Sequence, residues 1–143
     1  MQQRWVLLLH ELPDGSRHRD WMIERPGAGS GDGVQGLITF RVEAGEDGNA
    51  FPGSEPFEGE RLADHRAAYL EYEGEVSGGR GRVRRVASGR CRLVRDEPNL
   101  LEVELATPQG ARTVVGTRLP HPEGKGERGS IWRFAAGGPR TGR

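Results

Sequence analysis

The feature that most limits what this chain can become is its short-range alternation. In LEVELA (101–106), Leu101, Val103 and Leu105 fall on one side and Glu102 and Glu104 on the other. That period of two belongs to a half-buried β-strand. Arg90, Cys91, Arg92 and Leu93 alternate in the same way, and Trp132 and Phe134 share a face of a last strand that begins at Ile131. The turn signals between such stretches are Pro13-Asp14-Gly15, Ala87-Ser88-Gly89, Pro98-Asn99 and Pro108-Gln109-Gly110. Strands are predicted over 4–10, 17–24, 35–42, 68–73, 82–86, 90–95, 100–106, 111–118 and 131–135. Turn signals roughly 8–12 residues apart make the fold mainly β, a small barrel or a sandwich. At most one or two short helices are expected, with a helical turn within 59–68. Two long loops, 44–60 and 121–129, break the rhythm, and 137–143 reads as a loose tail.

Composition narrows the function classes. The 143 residues fit a single domain with one modest core, since only 34% are hydrophobic. Twenty-one basic residues balance twenty-one acidic ones, so no global field favours nonspecific nucleic-acid binding, and any such contact is a local patch. The apolar run 5–9 is too short for a signal peptide, and no stretch approaches a membrane span. The single cysteine, Cys91, excludes an intramolecular disulfide and fits a reducing cytoplasm. Alternating with arginines, it reads as a small core residue and not a nucleophile.

Three groupings carry candidate chemistry. His10 closes the run WVLLL, and His18 and Asp20 follow a short turn with the spacing His-x-Asp. Residues two apart on a strand point the same way, so a hairpin through 13–16 would bring two imidazoles and one carboxylate together. Such a set holds a divalent transition metal and leaves open positions for hydrolytic chemistry. The bland reading is a solvated strand face. His65 and Tyr69, four residues apart, meet on one face of a helical turn and can protonate or hydrogen-bond a phosphate oxygen. The bland reading is a half-buried tyrosine beside a turn. In Gly78-Gly79-Arg80-Gly81-Arg82, glycines would let backbone approach an anion and arginine forks match phosphate. An arginine-rich strand edge is as readily a device against aggregation. His121, in Pro-His-Pro, reads as a loop residue.

Taken together, RWVLLLHE, HRDWMIE, DHRAAYLEYEGEVSGGRGRVRR and ASGR, in that order, resemble the 3′-phosphoesterase domain family of bacterial ligase D, the ligase of non-homologous end joining. The resemblance spans roughly residues 4–135. It implies a compact, closed or nearly closed antiparallel β-barrel that uses manganese to remove a 3′-terminal ribonucleoside and then a 3′-phosphate. It implies His10, His18 and Asp20 as metal ligands, and His65 and Tyr69 as the pair acting at the scissile phosphate. Zinc or iron are the alternative metals. Three departures stand out. The loop between the metal histidines is longer by an even number of residues, which preserves facing. Met22 stands where the family has an arginine that contacts phosphate, so a bidentate anion clamp is missing. The glycine-rich turn is shorter and more basic. Arg41 and Arg61, and less favourably Arg80 and Arg82, are the candidate replacements for the lost cation.

The function expected is therefore a metal-dependent phosphoesterase in DNA repair. It would be a cytoplasmic monomer acting on nucleic-acid 3′ ends, alone or beside a separate repair ligase or polymerase. The alternatives are a non-catalytic relative that binds phosphate or nucleic-acid ends, which Met22 favours, and a phosphoesterase of small phosphoesters.

Overall fold

Alternation becomes pairing in nine strands of one antiparallel sheet, in a computed structural model that describes residues 1–27, 35–43, 51, 56–108, 110–120 and 129–136. The strands are β1 (Gln3–Glu11), β2 (Arg17–Glu24), β3 (Gln35–Glu43), β4 (Phe57–Arg66), β5 (Gly74–Glu75), β6 (Arg82–Glu97), β7 (Leu100–Thr107), β8 (Gly110–Arg118) and β9 (Ile131–Ala136). Their order is β1-β2-β3-β4-β9-β8-β7-β6-β5, and β6 also pairs with β1. Eight strands therefore close a barrel, and the two-residue β5 rides on the start of β6. Among the described residues the only helical piece is a 3-10 turn, Ala67–Leu70, and no helix is long and apolar enough to cross a membrane.

The period of two sorts the apolar residues into two layers. Trp5 and Leu7 of β1, Trp21 and Ile23 of β2, Ile38 and Phe40 of β3 and their counterparts on β6–β9 fill the barrel. Phe134 sits centrally, edge-on to Phe40 at 4.8 Å and stacked on Phe57 at 5.1 Å. The intervening residues Val6, Leu8, Met22 and Leu37 face outward. They pack with Leu70, Val76 and Val83 into a second cluster beneath the chain that runs from the 3-10 turn to β6. This outer face carries the candidate site.

Three expectations about elements need correcting. Residues 68–73 are not a strand; the strand is β4, 57–66, a stretch whose sequence reads as the end of a loop and a helical turn. FEGERLADHR shows no apolar alternation, yet β3 and β9 supply backbone partners on its two sides, and those ladders decide its conformation. The helical turn is displaced to 67–70 for the same reason. Ala87-Ser88-Gly89 is not a turn, because β6 runs through it for 16 residues, pairing first with β1 and then with β7. Gly89 is there for space: a Cβ would lie 2.5 Å from the Ala106 carbonyl oxygen and 2.9 Å from the Trp5 indole nitrogen. The Trp5 N–H crosses this gap to donate to Ala106 O at 3.3 Å. The loops at 44–50, 52–55 and 121–128, with His121, and the tail 137–143 lie outside the described residues.

Gly89→Ala is expected to destabilise the fold by about 1–3 kcal/mol, because a methyl there overpacks a filled gap. Ser88→Ala next to it, on the exposed face, should stay within about 0.5 kcal/mol of the parent. Urea unfolding of both variants checks this.

Candidate metal centre

Antiparallel register assembles the centre. His10 lies directly across from His18 in the β1–β2 ladder, and Leu8 across from Asp20. His10, His18 and Asp20 therefore share the outer face, two of them on one strand at i and i+2. One ligand atom from each lies within 4.8 Å of the others, and they are the only such group of three among the described residues. His10 Nδ1 is 3.7 Å from Asp20 Oδ2, and His18 Nε2 is 3.1 Å from Asp20 Oδ1. The turn that joins the strands is fastened by Asp14, whose carboxylate accepts from the Ser16 N–H and hydroxyl.

The chemistry of these atoms suits a cation. Asp20 is 5% exposed, and its buried Oδ1 makes no well-formed hydrogen bond, only the 3.1 Å approach of His18 Nε2. A buried carboxylate oxygen without a well-aligned donor is costly, and a metal would satisfy it. His10 Nε2 lies 2.6 Å from the Arg80 carbonyl oxygen, which can only accept, so this nitrogen carries the proton. The neutral ring then presents the Nδ1 lone pair to the cluster, the arrangement by which metal-binding histidines are oriented. Two imidazoles and a carboxylate fit manganese, iron or zinc better than calcium.

Electrostatics ties the ligands together without an ion. The Asp20 carboxylate raises the His10 pKa above its ordinary 6.5, outweighing burial, and the Arg80 carbonyl adds to the effect. Burial pushes Asp20 up, but the two imidazoles facing it outweigh this and hold it below the ordinary carboxylate value.

The three residues open into a cavity of about 510 Å³ that is also lined by Met22, Arg41, Leu62, His65, Tyr69 and Arg80. His65, at the end of β4, and Tyr69, in the 3-10 turn, come together with ring centres 5.7 Å apart. His65 Nδ1 is bonded to the Ala63 carbonyl at 2.9 Å, so it carries a proton and Nε2 is the exchangeable nitrogen. Arg41 pairs across the ladder with Asp20 and lies on the same face.

The other three arginines depart from their expected role. Arg61 pairs with Phe40 in the β3–β4 ladder, which puts it on the opposite face of the sheet. Its guanidinium lies 5.4 Å over the Phe40 ring and 3.6 Å from Asp64. Arg82 is exposed and lines a neighbouring hollow with Glu75 and Ser77. Arg80 lines the cavity, but its guanidinium folds back on Ser77, donating to the carbonyl at 2.7 Å and to the hydroxyl at 3.2 Å. Met22 is 1% exposed and packed among apolar neighbours at the cavity wall.

The functional group that residue types could not disclose is the Arg80 backbone carbonyl. Gly81 delivers it: its φ is +96°, and a Cβ there would stand 1.9 Å from the Glu11 carbonyl oxygen. The glycine-rich run thus lets a turn press against the β1–β2 hairpin. Cys91 is fully buried in the barrel, and burial pushes its thiol up to about 12, which suits a core residue. No protein-family model matches this chain, and no curated protein matches it significantly.

Two outcomes are expected. In the metal-free protein His10 should titrate above 6.5 by NMR, and Asp20→Asn should lower it. The pair stabilises the fold fully below the unfolded histidine value, and this contribution is lost as pH rises through the raised His10 pKa. At the acid end it is lost as pH falls through the depressed Asp20 pKa. Gly81→Ala should weaken manganese or zinc binding by about 10–100-fold in calorimetric titration, as loss of an orienting partner does. Arg80→Ala keeps the carbonyl and should weaken it far less.

Proposed function

We propose that the protein is a metal-dependent phosphoesterase acting on nucleic-acid 3′ ends, removing a 3′-phosphate, a 3′-ribonucleoside or both. The observation that carries this reading is the convergence of His10, His18 and Asp20 with His65, Tyr69 and Arg41 around one cavity. The resemblance of its motifs to the ligase D 3′-phosphoesterase family supports the choice of substrate.

When bound, a divalent ion, manganese before zinc or iron, supplies Lewis-acid polarisation of a phosphoryl oxygen and a more acidic water. His10, His18 and Asp20 would hold it. His65, with Nδ1 tied to Ala63, can pass a proton only through Nε2. As imidazolium it donates to the ester oxygen that leaves; neutral, it accepts a proton from the attacking water. Tyr69 offers a hydroxyl to orient a phosphate oxygen. Arg41 is the cation on this face that supports the equatorial oxygens, work that rests on electrostatics.

One observation favours a second reading, a non-catalytic binder of phosphate or nucleic-acid ends. Met22 gives the cavity an apolar wall where the resembled family has its arginine, so the charge facing a substrate is smaller. On the first reading, a 3′-phosphorylated primer with manganese is turned over. His18→Ala combined with Asp20→Ala abolishes both metal uptake and turnover, and His65→Ala loses turnover while keeping metal. Arg41→Ala is expected to cost about 10²-fold in rate. If the parent binds the primer without turnover and Met22→Arg confers it, the second reading is correct.

A further inference from the structure

The outer face of β1 and β6 continues beyond the metal cavity. Register places Arg4 directly across from Arg90, with Ser88 opposite Val6 and Arg85 opposite Leu8. Arg4, Arg85, Ser88 and Arg90 line a second hollow of about 490 Å³, walled by Leu70 and Glu71 at the end of the 3-10 turn. The turn is a partition, with Tyr69 lining the metal cavity and Leu70 this hollow.

Like charges directly opposite on a sheet destabilise it, so the Arg4–Arg90 pair asks for a compensating anion. The protein's own carboxylates meet this need weakly. Glu71 is 3.4 Å from Arg4 but 81% exposed, and Glu73 is 3.8 Å from Arg85 on a half-exposed side chain. Arg4 also approaches Glu24 at 3.9 Å, but that half-buried carboxylate already accepts the Arg4 backbone N–H at 2.9 Å. The exposed pairs with Glu71 and Glu73 contribute little and exchange readily with a better partner. Arg90 has no ion-pair partner among the described residues. A group with several anionic oxygens, approached by more than one guanidinium and the Ser88 hydroxyl, fits this hollow.

Arg4 lies six residues along β1 from His10, about 20 Å at strand rise. Several nucleotides of a strand bridge that distance. We propose that this hollow is a second nucleic-acid contact, holding a backbone phosphate several nucleotides away from the 3′ end that occupies the metal cavity. The proposal rests on the nucleic-acid reading above and adds to it a dependence on strand length.

The test compares fluorescence anisotropy of 3′-phosphorylated single strands of about 3 and about 15 nucleotides, in parent protein and Arg4→Gln/Arg90→Gln, across a salt series. The expected result is about tenfold weaker binding of the long strand by the variant, with the short strand unaffected. The slope of log affinity against log salt should fall by about 0.7 for each phosphate that the variant no longer neutralises. Ser88→Asp, which brings a carboxylate into the hollow without removing either arginine, should reproduce the selective weakening. Equal effects on both lengths, or none on either, overturn the second contact and leave the nucleic-acid reading standing. If the parent protein binds neither strand, the nucleic-acid reading fails and this proposal with it.

Discussion

The structure depends on β1 having a partner on each side. Its ladder with β2 sets His10 against His18, and its ladder with β6 closes the barrel and brings Val83 and Arg85 alongside His10 and Leu8. Because side chains alternate, one strand serves two purposes: Trp5 and Leu7 fill the core, while Val6, Leu8 and His10 belong to the outer layer. A slip of one residue in either ladder would send the candidate ligands into the barrel and the core residues outward.

The outer layer explains how the polar trio of His10, His18 and Asp20 comes to be sheltered on a convex sheet face. Apolar residues of this face are covered by Leu70, Val76 and Val83, and the chain that supplies them also roofs the cavity of the candidate metal centre. Arg85 braces it by donating to the Leu70 carbonyl at 3.3 Å. The Tyr72 hydroxyl donates to the Glu75 carbonyl, tightening the bend that leads back to β6. The covering segment thereby performs three tasks at once. It buries an apolar patch, it carries Tyr69 to the cavity, and it presents the Arg80 carbonyl to His10.

Met22 is where chemistry and packing compete. In its present apolar setting the side chain completes the outer cluster. Met22 itself lines the cavity, so a cation in its place would bring its charge there from within this apolar cluster, with its stem taking over the packing. Arg41 reaches the same cavity from the next strand, where Asp20 and Glu60 are its ladder neighbours. The two positions differ in burial and in charged neighbours, so an arginine at 41 is not a simple exchange for one at 22.

The sequence alone determined the mainly β character, the strand faces of β2, β7 and β9, and the shared side of His18, Asp20 and Met22. All of these follow from a period of two, a property of the local chain. The resemblance to a family pointed to the closed barrel and to the grouping of His10 with His65 and Tyr69. Tertiary structure decided the remainder. It made a strand of the polar 57–66, because backbone ladders on two sides override side-chain preference. It carried β6 through Gly89, because the ladders with β1 and β7 meet there, and the glycine leaves the space that the Trp5 indole fills. It turned Arg61 away from the cavity, because its register with Phe40 sets the face it occupies. It gave Arg80 a backbone role in place of a charged one, because Gly81 lets two segments touch. Register and close approach are relations between distant segments, and they exist only once both have folded.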